Sequence, residues 1–165
     1  AVTGVPFLWQ APISRAKFEA TEKAARAAGI TIHSATVQKA SDFTAAVGGA
    51  VRDGAHALIA LSAPLMLLNQ ARIDELALHH RLPAVTLFAL LAGGRRFMSY
   101  GPNLDDMFRR SASYVDRILK GAPVAALPVE RPSRFDLAIN LRTAKALGLT
   151  IPQSLLLRAD LVINH

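Results

Sequence analysis

The chain has 165 residues, enough for one domain or for one domain and part of another, and 52% of them are hydrophobic, enough to bury a core. It has no cysteine, which excludes disulfides, thiolate metal sites and thiol catalysis. The formal charge is +7, from 19 Lys and Arg against 12 Asp and Glu. The basic residues are scattered, with no run longer than pairs such as Arg95-Arg96 and Arg109-Arg110 and none interleaved with aromatics, so the charge reads as a solvated surface and not as a nucleic-acid site.

No 18-residue apolar run is free of charges, so no segment reads as a membrane span. The opening "AVTGVPFLWQAP" has no basic region ahead of a long apolar core, so no signal peptide is visible in it. The apolar "PFLW" reads as a first strand ending at Gln10. Ser14 is placed to cap a helix over "RAKFEATEKAARAA" that stops at Gly29. "ITIHSATV" alternates as a half-covered strand does. Ser41 is placed to cap "DFTAAVGGAVRD", with Asp42 near the positive end of the dipole and Gly54 at the close. Inside that helix, Gly48-Gly49 costs helix stability and reads as a point of close packing. "HALIALS" is a nearly all-apolar run suited to a central parallel strand.

A loop with Pro64 leads to the helix "LNQARIDELALHH", and Pro83 leads into the strand "AVTLF". Next come "RFMSYG" and a helix from Leu104 to Lys120, with Asn103 as its N-cap and Gly121 at its end. Leu104, Met107, Phe108, Val115, Ile118 and Leu119 share one face of that helix, and charged residues fill the other. The connector "APVAALPVERPS" holds three of the nine prolines and reads as an extended, semi-rigid crossing. "RFDLAIN" reads as a strand and "LRTAKAL" as a short helix ending at Gly148. Pro152 then precedes a last helical turn in "SLLLRAD". Strands alternating with helices predict an α/β, Rossmann-like three-layer architecture with a parallel sheet.

Enzyme signatures are missing from the sequence. There is no G-x-G-x-x-G after the first strand, no Walker A loop, no G-x-S-x-G and no H-E-x-x-H. The five histidines include no i,i+4 pair, and no metal or cofactor is expected. In open α/β sheets ligands bind outside the carboxyl ends of the strands. Gln10, Ser62, Phe88 and Tyr100 hold those positions, offering an amide, a hydroxyl, an aromatic ring and a phenol. That set suits binding more than catalysis, although the same residue types also serve as ordinary loop residues bonded to backbone or solvent.

Several segments, in this order, carry a resemblance: "SYGPNL", "YVDRILKG", "LPVERPSRFDLAINLRTAKALGL" and "TIPQSLLLRAD". They extend over about half the chain and closely resemble the C-terminal half of the ABC transporter substrate-binding protein family, in the lineage of tryptophan- and tyrosine-type solute receptors. "FLWQAPIS" fits more loosely, with Gln10 where relatives carry Asn. Ala89-Leu90-Leu91 stands where relatives tend to carry Arg-Glu-Phe.

The resemblance implies a type I periplasmic-binding-protein lobe. Residues 1–83 and 131–165 would form the second lobe, and 84–130 would be a return segment belonging to the first. It implies a periplasmic or lipid-anchored solute-binding component of an ABC importer. Such a protein binds an amino-acid-like or aromatic molecule without catalysis and delivers it to a membrane permease. Tyr100 and Phe88 would stack on the ligand, while Ser62, Ser99 and Gln10 hydrogen-bond it. The alternative on the same fold is the ligand-sensing domain of a transcriptional regulator. The apolar stripe of the 104–120 helix, short of a sheet to cover, implies a homo-oligomer.

Overall fold

The computed structural model describes residues 4–11, 13–88 and 94–164. The Ala89-Leu90-Leu91 positions lie outside them. Seven strands form one sheet: β1 (Gly4–Gln10), β2 (Thr31–Val37), β3 (Leu58–Ala60), β4 (Ala84–Thr86), β5 (Met98–Pro102), β6 (Phe135–Asn140) and β7 (Leu161–Ile163), in the order β2-β1-β3-β4-β5-β6-β7. β1 to β5 pair in parallel, β6 runs antiparallel to β5, and β7 is parallel to β6. The helices are α1 (Arg15–Ala27), α2 (Asp42–Arg52), α3 (Pro64–Leu68), α4 (Gln70–His79), α5 (Leu104–Leu119), α6 (Leu141–Ala146) and α7 (Gln153–Leu156). The expected α/β order holds. Three short elements went unread in the sequence: α3, hidden in the Pro64 loop, β7, only three residues long, and a 3-10 turn at Val124–Ala126 in the connector read as extended.

β1 is buried on both faces, as its unbroken apolar run requires. Leu8 joins Phe43, Val47, Leu58, Met66 and Ile73 in a core between the sheet and α2, α3 and α4. Phe7 and Trp9 point the other way, where Phe18 of α1 packs on both; its ring stacks on Trp9 at 5.1 Å. Trp9 also donates its indole N–H to the Ser34 hydroxyl at 2.8 Å. Each large side chain buried this way contributes about 1.5–3 kcal/mol.

Capping departs from the sequence reading at two helices. Neither Ser14 nor Ser41 caps with its side chain, and the carboxylate of Asp42 instead accepts from the Gln38 and Lys39 amides at 2.9 and 3.1 Å. Asn103 does cap α5, accepting from the Asp106 amide at 2.7 Å. The close-packing reading of Gly48 and Gly49 also fails: a Cβ at either would meet only the Arg52 side chain, at an ordinary 3.7 Å.

β4 and β5 are hydrogen-bonded members of the same sheet, because Pro83 feeds "AVT" directly alongside β3. No residue from 102 to 136 is buried. α5 and the connector are instead fastened to each other. Arg110 bonds Ser133 and Glu130, and the Tyr114 hydroxyl donates to the Pro128 carbonyl at 2.7 Å.

Candidate functional site: the carboxyl edge of the sheet

Because β1, β3, β4 and β5 run in parallel, their carboxyl ends open on one edge. β6 runs the opposite way, so its first residues return there, and so does Asp160 ahead of β7. The edge therefore collects Gln10, Ser62, Phe88, Tyr100, the Arg134–Asp136 segment and Asp160.

The expected site residues separate along it. Ser62 and Phe88 line one hollow with Gln70, Thr86 and Arg96, but its volume is only about 20 Å³, room for a water and no more. Phe88 also borders a wider cleft of about 250 Å³ with Pro102, Asn103, Asp105, Arg134, Asp136 and Asp160. Tyr100 is 57% exposed and stacks on Phe135, ring centroids 5.8 Å apart. Gln10 lies at the far end, on β1. Three strand spacings, about 14 Å, separate β1 from β5, so Gln10 and Tyr100 do not share a pocket. Ser99 sits within β5 on the face opposite Tyr100, fully buried, and its Oγ has no hydrogen-bond partner among the described residues.

The wider cleft is built from residues that sequence reasoning missed. Asp136 accepts from the Asn103 side-chain amide at 2.6 Å, so Asn103 both caps α5 and holds this carboxylate. The other Asp136 oxygen is buried without a hydrogen bond and lies 3.6 Å from the Arg134 guanidinium, a charge contact beyond hydrogen-bond reach. Asp160 accepts from the Leu137 amide at 2.8 Å. Three carboxylates against one guanidinium favour a ligand with a donor or cationic group. The only signal of Asp136 and Asp160 in the sequence was an Asp at the head of an apolar run, before "LAI" and before "LVI", which has no meaning until β6 is known to run backwards. Among the described residues no cluster of His, Asp and Glu could hold a metal ion.

Beneath the edge, Arg96 is buried and ties three elements together. It bonds both carboxylate oxygens of Asp74 on α4, at 3.1 and 3.3 Å, and the Thr86 hydroxyl on β4 at 3.2 Å. Burial pushes the Asp74 carboxyl above its ordinary pKa, and the Arg96 charge opposes that push with smaller effect.

Comparison with known proteins agrees with this architecture. The family model described as ABC transporter substrate binding protein matches residues 10–163. Three solved structures share the fold. A conserved domain protein from Vibrio cholerae O1 biovar eltor str. N16961 has a TM-score of 0.88 and 23% identity, over 98% of this chain and 55% of that one. An ABC domain in complex with L-Trp from Streptococcus pneumonia has a TM-score of 0.88 and 21% identity, again over 98% and 55%. The ligand-free, open structure of CD0873, a substrate binding protein with adhesive properties from Clostridium difficile, has a TM-score of 0.75 and 15% identity, over 99% and 55%. The chain thus spans little more than half the length of each. The search of curated proteins gave no significant match.

Proposed function

The chain belongs to the ABC transporter substrate-binding protein family, and on that premise we propose that it is the solute-binding component of an ABC importer. It takes an amino-acid-like or aromatic solute at the carboxyl edge of the sheet, performs no chemistry on it, and hands it to a membrane permease outside the cytoplasm. The observation that carries this reading is the family match, which runs through nearly all of the chain. The L-Trp held by the Streptococcus neighbour supports the ligand class. So do the exposed Tyr100–Phe135 aromatic stack and, separately, the cleft whose carboxylates suit an ammonium.

In this reading Phe88 and Tyr100 contact the apolar part of the solute, and Ser62 and Gln10 offer polar contacts from neighbouring strands. Asp136 and Asp160 join them. Residues 84–130 belong to a first lobe, the remainder of which falls in the length that the solved relatives have beyond this chain. Closure of two lobes on the solute would shift a hinged equilibrium towards the bound state. When a chain of these 165 residues stands alone, we propose that a second copy covers α5, pairing its acidic first turn, Asp105 and Asp106, with Arg117 and Lys120 of the antiparallel partner helix.

The test is a thermal-shift screen of this chain with amino acids, aromatic acids and nucleotides. A true ligand at 100 times its Kd adds about 2.7 kcal/mol of stability, and amino acids or aromatic acids are expected to give the shift. A flat response to every class would overturn solute binding by this chain.

A further inference from the structure

We propose that the head of α1 is a carboxylate-binding subsite, built from the first-turn amides of Arg15, Ala16 and Lys17, the Ser14 hydroxyl and the Lys17 ammonium. The sheet order places it. From β1 the chain leaves through α1 to β2 on one side, while from β3 it leaves through α3 and α4 to β4 on the other. A crevice therefore opens between the carboxyl ends of β1 and β3, the usual place for a ligand in such a sheet. α1 starts at that crevice.

The electrostatics of the helix head are uncompensated. α1 is 13 residues long, with no acidic residue in its first turn and no side-chain cap. Its leading amides thus keep their donors, and its dipole keeps a positive end. Helix geometry alone would not make a site, but the hydroxyl at its head adds an independent sign. Ser14 is 1% exposed, and its Oγ has no hydrogen-bond partner among the described residues. A buried hydroxyl left unbonded is unfavourable, and Ser14 is the residue just before the helix. The Ser14 amide donates to the Gln10 carbonyl at 3.0 Å, which folds this loop back onto the end of β1.

A cation completes the set. Lys17 reaches across the crevice, its Nζ 3.4 Å from the Ser62 carbonyl. Among the described residues it makes no ion pair, so its charge is available at the mouth. A singly charged carboxylate fits this inventory of one helix end, one hydroxyl and one ammonium. A phosphate fits less well, since the loop lacks the glycines that let a backbone wrap around one. The buried side-chain oxygen of Gln10, also without a hydrogen bond, is an acceptor that repels a doubly charged group and suits a donor carried next to the carboxylate. That the carboxylate belongs to the transported solute rests on the receptor reading above; the subsite itself does not.

The test is a titration of the chain with sodium acetate, against sodium chloride at equal ionic strength, read by ¹H–¹⁵N amide shifts. We expect saturable shifts at Arg15, Ala16 and Lys17 with acetate and not with chloride. Ser14→Ala, a small change at a buried site, is expected to weaken acetate about tenfold. Lys17→Gln, on the surface, is expected to weaken it about two- to fivefold. Equal shifts with both salts, no shift at these amides, or acetate affinity unchanged in both variants would overturn the subsite. Acetate shifts that persist when every solute fails the thermal screen would sustain the subsite and refute only the receptor reading.

Discussion

The carbonyl oxygen of Leu87 lies 1.5 Å from the point where a side chain on Gly101 would begin. β4 and β5 pair only as far as Thr86 and Ser99, so the chain leaving β4 folds directly across the end of β5. A glycine is needed there because backbone fills the space of a Cβ. Gly101→Ala should therefore cost about 3 kcal/mol, the upper end for an overpacked site, since the obstructing atom is backbone and not a flexible side chain. The urea midpoint would read it, and a midpoint equal to that of the natural chain would show that the two segments separate freely.

The Arg96–Asp74 pair predicts a second loss. Asp74→Ala leaves a buried guanidinium without its two carboxylate bonds, which costs about 3–5 kcal/mol. Replacing both partners with apolar residues should recover much of that loss, because the desolvation of the remaining charge goes with it. Chemical denaturation of the two single variants and the double variant tests this. Additive losses in the double variant would mean that the pair is not coupled.

Gly48 and Gly49 predict the opposite sign. Nothing but the Arg52 side chain lies near a Cβ at either position, and both residues sit inside α2. Gly48→Ala and Gly49→Ala should each stabilise the chain by about 0.5–1 kcal/mol through helix propensity and a less flexible unfolded state. A loss of melting temperature in either variant would show a contact that the helix does not have here.

These residues also show where sequence reasoning stops. The parallel strands, α5 and its Asn103 cap were legible because they depend on local signals: apolar runs, helical periodicity and the residue types at helix ends. The Gly48-Gly49 reading failed because a sequence shows a glycine but not what stands opposite it. At the candidate site, Phe88 and Ser62 were legible as residues following apolar strands. Asp136 and Asp160 were not, because they reach the same edge only through the antiparallel return of β6. Ser99 and Tyr100 face opposite sides of β5, since neighbouring residues on a strand alternate, and a sequence does not say which side is covered.

Asp42 carries a pH dependence. Hydrogen bonds from the Gln38 and Lys39 amides hold its carboxyl below the ordinary aspartate value of 3.8. A carboxyl whose folded pKa is depressed adds stability that is present above the unfolded value and lost as pH falls through the folded one. Stability should therefore fall as the pH drops below 3.8. Asp42→Asn should flatten that part of the profile, and an identical acid profile in the variant would remove Asp42 as a cause.

The exposed face of α5 makes the last prediction. Phe108 and Leu119 are 71% and 81% exposed, and Val115 lies between them on the same face at 56%. With the connector, α5 borders a groove of about 610 Å³ lined by Met107, Val115, Ile118, Val124 and Leu127. An apolar surface of this kind exceeds what a monomer usually exposes and calls for a partner. Antiparallel pairing of two α5 helices would bury it, and the acidic start of each helix would meet the basic end of the other. Light scattering of the 165-residue chain should show a concentration-dependent dimer. Phe108→Glu with Leu119→Glu should return it to a monomer, because both charges would fall in the buried seam. Salt should weaken the dimer only slightly, since apolar burial dominates and exposed ion pairs contribute about 1 kcal/mol or less each. A chain that stays monomeric at high concentration would overturn self-association. A dimer that survives both substitutions would move the interface away from α5.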